Sequence, residues 1–226
     1  MKKYLPFKKY MHILKASKLF EGINDDEIDE VLCCLSATEK NYRRDEYIFH
    51  AGESISSVAL ILRGSVHIQR EDYWGNLSIL NKISEGDVFG EAYGVSGDCA
   101  ILNDVVAVEN TTILFLDFNR VFSLDYSECG ICLRLIRSLY SLLAEKNRIL
   151  AQKLGHMSQR TTREKLLSYL SEESVKAESS SFYIPFNRQQ LADFLSVDRS
   201  AMSKELCKMR DDGLLCFDRN RFDLKQ

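Results

Sequence analysis

The sequence predicts an α+β chain: an antiparallel β jelly-roll barrel first, then a long dimerisation helix, then a winged helix-turn-helix. Three observations predict it. Residues 42–117 are a succession of short β-branched and aromatic runs broken by Gly, Asn and Asp. Residues 119–154 carry leucines at helical spacing. Residues 188–209, RQQLADFLSVDRSAMSKELCKM, read as two short helices joined by a tight turn. The domain boundaries that follow are 1–118, 119–155 and 156–226.

Each element has its own signature. Within residues 5–36, GINDDEIDEVLCCL offers Asn24 as an N-cap, acids in the first turn, and Ile28, Val31, Leu32 and Leu35 on one face. The adjacent Cys33 and Cys34 read as small core residues. In the barrel, EYIFHAGE, SVALILRGSVHIQRED, NLSILNKISEGDVFGE, DVVAVE and TTILFLD are the strand runs. Gly52, Gly64, Trp74-Gly75-Asn76 and Gly86-Asp87 punctuate them, with glycines supplying positive φ at corners.

In the long helix, Leu135, Leu139, Leu142, Ile149 and Leu154 lie near one stripe, broadened by Leu143 and Leu150. A barrel this small leaves part of that stripe uncovered, and a second copy of the helix is its outlet. Packing against the chain's own C-terminal domain is the alternative. Gly155 is expected to end the helix at a hinge, GHMSQRT.

In the C-terminal region, Leu191, Ala192 and Leu195 face inward from the first short helix, which starts near Asn187. Ser196-Val197-Asp198 forms the turn, and Asp198 caps a second helix from which Met202, Leu206 and Met209 point inward. Arg199, Ser200, Ser203 and Lys204 then face outward near its start. In a helix-turn-helix that end meets base edges in the major groove of double-stranded DNA. Arg can bond guanine bidentately, and Ser can donate to or accept from several bases. DDGLLCFDRNRFDLKQ adds a Gly213 turn and a two-stranded wing around Asp218-Arg219-Asn220. A helical hairpin with a solvated face, or a C-terminal domain that contacts protein in a ligand-sensing module, is the competing reading.

Charge alone does not point to nucleic acid. The net charge of the 226-residue chain is −3. From His156 onward there are 12 basic and 11 acidic residues, against 18 and 22 before it. Seven scattered cysteines do not form a disulfide framework, which suits a reducing cytoplasm. No signal peptide and no apolar run long enough to span a bilayer is evident, so no membrane partner is expected.

The order of these parts, with LFEGINDDEIDEVL, DEYIFHAGES, LILRGSVHI, GDVFGE and FNRQQLADFLSVDRSAMSKEL, resembles the CRP/FNR superfamily of bacterial transcription regulators. The resemblance covers residues 15–224. It implies a cyclic-nucleotide-binding-like barrel, a homodimer on a palindromic DNA site, RNA polymerase as a partner, and an effector in the barrel that biases the reader helices. It assigns base reading to Arg199, Ser200, Ser203 and Lys204, and phosphate contact to Asn187, Arg188 and Gln189. Cyclic-AMP-type members carry Glu after the recognition-helix Arg. Here that residue is Ser200, so a different half-site is expected.

The barrel also departs from cyclic-nucleotide members. Gly90-Glu91 is kept, but Leu102-Asn103 stands where the phosphate-binding Arg pair belongs. From Ile83 through Asn119 there is no Lys, Arg or His, while Glu85, Asp87, Glu91, Asp98, Asp104, Glu109 and Asp117 are present. A buried phosphate there lacks a counter-charge, which costs several kcal/mol, and about 1.4 kcal/mol is already tenfold in affinity. Useful cyclic-AMP affinity is therefore not expected; a partner-helix cation such as Arg148 is the escape route. The pocket candidates are Gly90, Glu91, Tyr93, Leu102 and Asn103, with Asn147 or Ala151 from the long helix. They suit a neutral or cationic small molecule, or no ligand.

No metal or cofactor is expected. Cys33-Cys34 are poorly placed for an iron–sulfur cluster. Cys129-Gly-Ile-Cys132 is a single C-x-x-C without a second pair. No phosphate loop or nucleophile elbow is present, so the chain does not read as an enzyme.

Overall fold

The computed structural model describes residues 6–71, 73–75, 77–95, 99–123 and 130–225. Asn76, Asp98 and Cys129, used in the sequence reading, lie outside them. The chain divides into two compact units, one ending at Ala144 and the other beginning at Glu145.

The first unit opens with a short helix α1 (Met11–Ala16) and then α2 (Asp25–Cys34). Asn24 caps α2 in a reciprocal box with Glu27, whose carboxylate accepts from the Asn24 backbone N at 2.9 Å. Ile28, Val31, Leu32 and Leu35 are buried as the spacing requires. Cys33 is exposed and Cys34 only partly buried, so the expectation of a core pair is corrected. The apolar stripe of α2 is saturated by Ile28, Val31, Leu32 and Leu35, and position 33 turns to the opposite face.

Eight strands follow: β1 (Thr38–Tyr42), β2 (Tyr47–Phe49), β3 (Val58–Arg63), β4 (Ser65–Glu71), β5 (Leu77–Ser84), β6 (Val88–Phe89), β7 (Asp104–Ala107) and β8 (Thr111–Leu116). A short helix, α3 (Glu91–Gly94), interrupts them after β6. They form two four-stranded antiparallel sheets, ordered β1-β8-β3-β6 and β2-β7-β4-β5. Alternation sends Ala59, Ile61, Ile113 and Phe115 between the sheets, against Ile48, Val66, Phe89 and Val105. The alternate residues Val58, Leu60, Leu62, Leu114 and Leu116 face outward onto the N-terminal helices.

Gly64 shows why the corners need glycine. Its φ is +87°, and an added Cβ would lie 2.7 Å from Thr111 Oγ1 and 2.9 Å from the Asn110 carbonyl oxygen.

After α4 (Asn119–Ser123) comes α5 (Gly130–Met157), a helix of 28 residues. It runs two residues past Gly155, so that glycine does not end it. A mid-helix glycine costs only about 1 kcal/mol, and packing around His156 outweighs that. The predicted single stripe divides. Cys132, Leu135, Leu139 and Leu142 are buried in the first unit's core. Ile149, Leu150 and Leu154 are exposed in the single chain.

The second unit holds α6 (Thr162–Lys176), β9 (Ser181–Tyr183), α7 (Arg188–Leu195), α8 (Arg199–Asp211), β10 (Leu215–Asp218) and β11 (Arg221–Leu224). The strands make one antiparallel sheet, β10-β11-β9. Leu166, Leu170, Leu191, Leu195, Met202, Leu206, Met209 and Phe222 form its core. No helix among the described residues is long and apolar enough to cross a membrane.

Candidate nucleic-acid interface

The turn between α7 and α8 is fixed from both sides. Asn187 caps α7 by accepting from the Gln190 backbone N at 2.9 Å. At the far end Ser196 adopts φ +50°, and the Val197 backbone N donates to the Ala192 carbonyl at 3.0 Å. Lys165 of α6 reaches over and donates to the Leu195 carbonyl at 3.2 Å, satisfying a helix-end acceptor. Asp198 then caps α8, accepting from the Ala201 backbone N at 2.7 Å. The small Ala192 is fully buried between the helices.

This places the start of α8 at the surface with its macrodipole outward. Arg199, Ser200 and Lys204 are exposed. Among the described residues neither Arg199 nor Lys204 makes an ion pair. Ser203 is partly buried and donates to the Arg199 carbonyl at 2.9 Å, leaving its oxygen lone pairs as acceptors. The acids nearest the far end of α8 are neutralised elsewhere: Arg163 pairs with Glu205 at 3.4 Å and Asp212 at 2.5 Å. The result is a helix start where Arg199 and Lys204 outnumber the capping carboxylate of Asp198, which suits an anion.

The residues expected at phosphate divide three ways. Asn187 is exposed but uses its side-chain oxygen as a cap. Gln189 is exposed and donates to Asp193 at 2.8 Å. Arg188 is partly buried, its guanidinium 4.9 Å from the Phe217 ring centroid and 5.0 Å from that of Phe222. Burial lowers its pKa. Arg188 thus ties α7 to the wing strands.

Two features complete the unit: the expected wing at Asp218-Arg219-Asn220, and a buried histidine that the sequence did not single out. Arg219 sits exposed at the wing tip with φ +50°, between the register partners Asp218 and Arg221. The dipeptide Arg219-Asn220 signals a turn, but not which side chain it presents. The second is His156, only 5% exposed. Its Nδ1 lies 2.8 Å from Ser168 Oγ, and its Nε2 lies 3.1 Å from Glu172 Oε2. Tyr169 and Phe194 flank the ring. The predicted hinge is therefore anchored at its first turn. His156 falls at heptad spacing from Leu135 and Leu142, fourteen residues after the latter; that spacing was the available signal.

In the barrel, Gly90 takes φ +76° to cap α3, and Glu91 is buried at 7% exposure. Gly94 lets that turn touch the Ser57 backbone, where a Cβ would fall 2.6 Å away. Tyr93 and Asn103 are partly buried, and Leu102 is 72% exposed. Ile101 is laced to the opposite loop by Gly52 N to Ile101 O at 2.8 Å and Ile101 N to Glu53 O at 2.9 Å. Asp104 accepts from the Ala51 backbone N at 2.8 Å. The Asp104 carboxylate is thus tied to the backbone of the opposite loop. Asn147 lies on the part of α5 that belongs to the second unit, and its side chain is exposed. Among the described residues no three His, Cys, Asp or Glu side chains gather as a metal ion would require.

Known families match both halves. Residues 39–124 match the cyclic nucleotide-binding domain, and residues 134–226 match the Crp-like helix-turn-helix domain. Among solved structures the chain is similar to CprK complexed with OCPA, with 12% identity over 85% of this chain and 88% of that one, TM-score 0.62. It is similar to DNR from Pseudomonas aeruginosa, with 21% identity over 99% of this chain and 96% of that one, TM-score 0.50. The N-terminal domain of a transcriptional regulator from Streptomyces coelicolor matches 61% of this chain and 94% of its own length, with 18% identity and TM-score 0.51. These likenesses are ones of fold.

Proposed function

We propose that this chain, which belongs to the CRP/FNR superfamily of transcription regulators, works in the cytoplasm as a homodimer on a palindromic DNA site. The α8 helix lies in the major groove. Arg199, Ser200, Ser203 and Lys204 read bases, while Asn187, Gln189 and the wing-tip Arg219 approach phosphate. RNA polymerase is the partner that the family implies. The observation that carries this reading is the capped start of α8, where Arg199 and Lys204 stand exposed, without ion pairs among the described residues, beside a pinned turn.

The dimer rests on a second face of α5. Leu133, Tyr140, Asn147 and Leu154 recur every seven residues, and Ile136, Leu143, Leu150 and Met157 recur three residues after each. These are the a and d positions of four heptads. Leu133, Tyr140, Leu150 and Leu154 are 57%, 72%, 59% and 65% exposed in the single chain. A seam of that period is matched by another helix of the same period.

For the barrel, the effector is a small neutral or cationic molecule other than cyclic AMP. The absence of any Lys, Arg or His from Ile83 through Asn119 supports this, as does the burial of Glu91. Effector binding then shifts the balance between reader arrangements by its differential affinity for them.

Selection from a random duplex pool tests the proposal. The expected result is a palindrome with half-sites about one helical turn apart. Recovery of no enriched sequence would favour a C-terminal domain that contacts protein.

A further inference from the structure

The two faces of α5 differ in one respect. The buried face in the first unit, Cys132, Leu135, Leu139 and Leu142, is apolar throughout, whereas the a/d seam is interrupted at its centre by Asn147. Among its a positions, Leu133, Tyr140 and Leu154 are large and apolar or aromatic. Its d positions, Ile136, Leu143, Leu150 and Met157, are all apolar. Asn147 is exposed in the single chain, as are Leu150 and Leu154 beside it. The following residue, Arg148, turns away to Gln152 at 3.3 Å.

We propose that Asn147 is the register residue of a parallel two-stranded seam, paired across the two-fold axis with the same residue of a second copy. This rests on the homodimer reading and says what fixes its alignment. A carboxamide carries both a donor and an acceptor, so two of them meeting at an axis satisfy each other. Sliding one helix by a heptad would set one Asn147 against Leu154 of the other copy, burying an amide without a partner. An antiparallel arrangement would set it among d-position residues, all of them apolar. A wider bundle would bury more unpaired amide. A single polar a position therefore selects strand number and alignment at a cost in stability. For a protein that presents two reader helices, alignment of the seam sets the spacing between them. This gives Asn147 a role outside the effector pocket to which the sequence reading assigned it.

Sedimentation equilibrium of the full chain tests it, with wild type, Asn147→Leu and Asn147→Asp. Asn147 is exposed in the single chain, so neither change opens a core. The expected result is a wild type that forms dimers only. Asn147→Leu should tighten self-association by about tenfold or more and populate trimers or tetramers. Asn147→Asp should weaken the dimer by about tenfold or more at neutral pH, with recovery as the carboxylates are protonated. Unchanged dimerisation in Asn147→Leu, or weaker dimerisation, would overturn the assignment while leaving the dimer standing. A wild type monomeric at all concentrations would overturn the dimer and this assignment together.

Discussion

The guanidinium of Arg188 lies 5.0 Å from the ring centroid of Phe222, so the first residue of α7 is joined to the last strand of the wing. Its neighbour Phe217 completes the stack at 4.9 Å. Arg188→Ala should destabilise the second unit by about 1–2 kcal/mol through lost cation–π contact and stem packing. Thermal melting checks this. The salt slope of DNA binding should stay unchanged if the guanidinium remains in the stack, and fall by about 1 if it also meets phosphate.

Arg199 and Lys204 are both proposed to read bases, and their variants test this separately. Arg199→Ala is expected to cost about 1–3 kcal/mol at one base position of each half-site and relax selectivity there. Lys204→Ala should have the same character if it reads a base. If it contacts phosphate, the loss is uniform across sequences and the salt slope falls by about 1. Binding titrations over single-base variants at several salt concentrations distinguish these, with unchanged melting in both variants.

Asp198→Ala removes the cap of the recognition helix. The expected loss is about 1 kcal/mol of stability. DNA affinity should also fall, because the first turn of α8 carries the residues proposed to read bases. Asp198→Asn keeps an acceptor and should retain most of both.

Gly64→Ala meets two obstacles at once: φ of +87° and a Cβ 2.7 Å from Thr111 Oγ1. The expected cost is about 1–3 kcal/mol or more, measured by chemical denaturation.

His67 sets a pH dependence. Burial in the sheet, and then Lys82 opposite it across β4 and β5, hold its pKa below the ordinary histidine value. The unfolded chain therefore binds the proton more readily. Stability contributed by neutral His67 should be lost as pH falls below about 6.5, levelling once the folded protein is also protonated. His67→Gln should flatten that stretch of the stability–pH curve. Lys82→Ala should recover only the smaller part of the shift, because burial is the larger cause; titration of the ring by NMR reads both.

Much of this was legible in the residues. Short β-branched and aromatic runs broken by Gly, Asn and Asp marked the barrel strands, because such side chains fill a pleated, buried surface. Asn24, Asn187 and Asp198 declared three helix starts through side chains that can accept a backbone N–H. Ser196-Val197-Asp198 placed the reader turn. Three things were not legible. The leucines of α5 read as one stripe, because leucines on adjacent faces of a long helix merge when counted without knowing which row the barrel covers. Gly155 looked like a stop, because the local cost of glycine is visible in sequence and the packing around His156 is not. The stacking of Arg188 was hidden, because its ring partners lie about thirty residues on, in strands whose packing with α7 is a tertiary event.

The central claim is that two copies of α8, held by one seam, read one duplex. The mass of the complex with the selected palindrome measures this most directly. The account predicts two chains per duplex, with sharp loss of binding when one half-site is scrambled. One chain per duplex, with affinity indifferent to the second half-site, would contradict it.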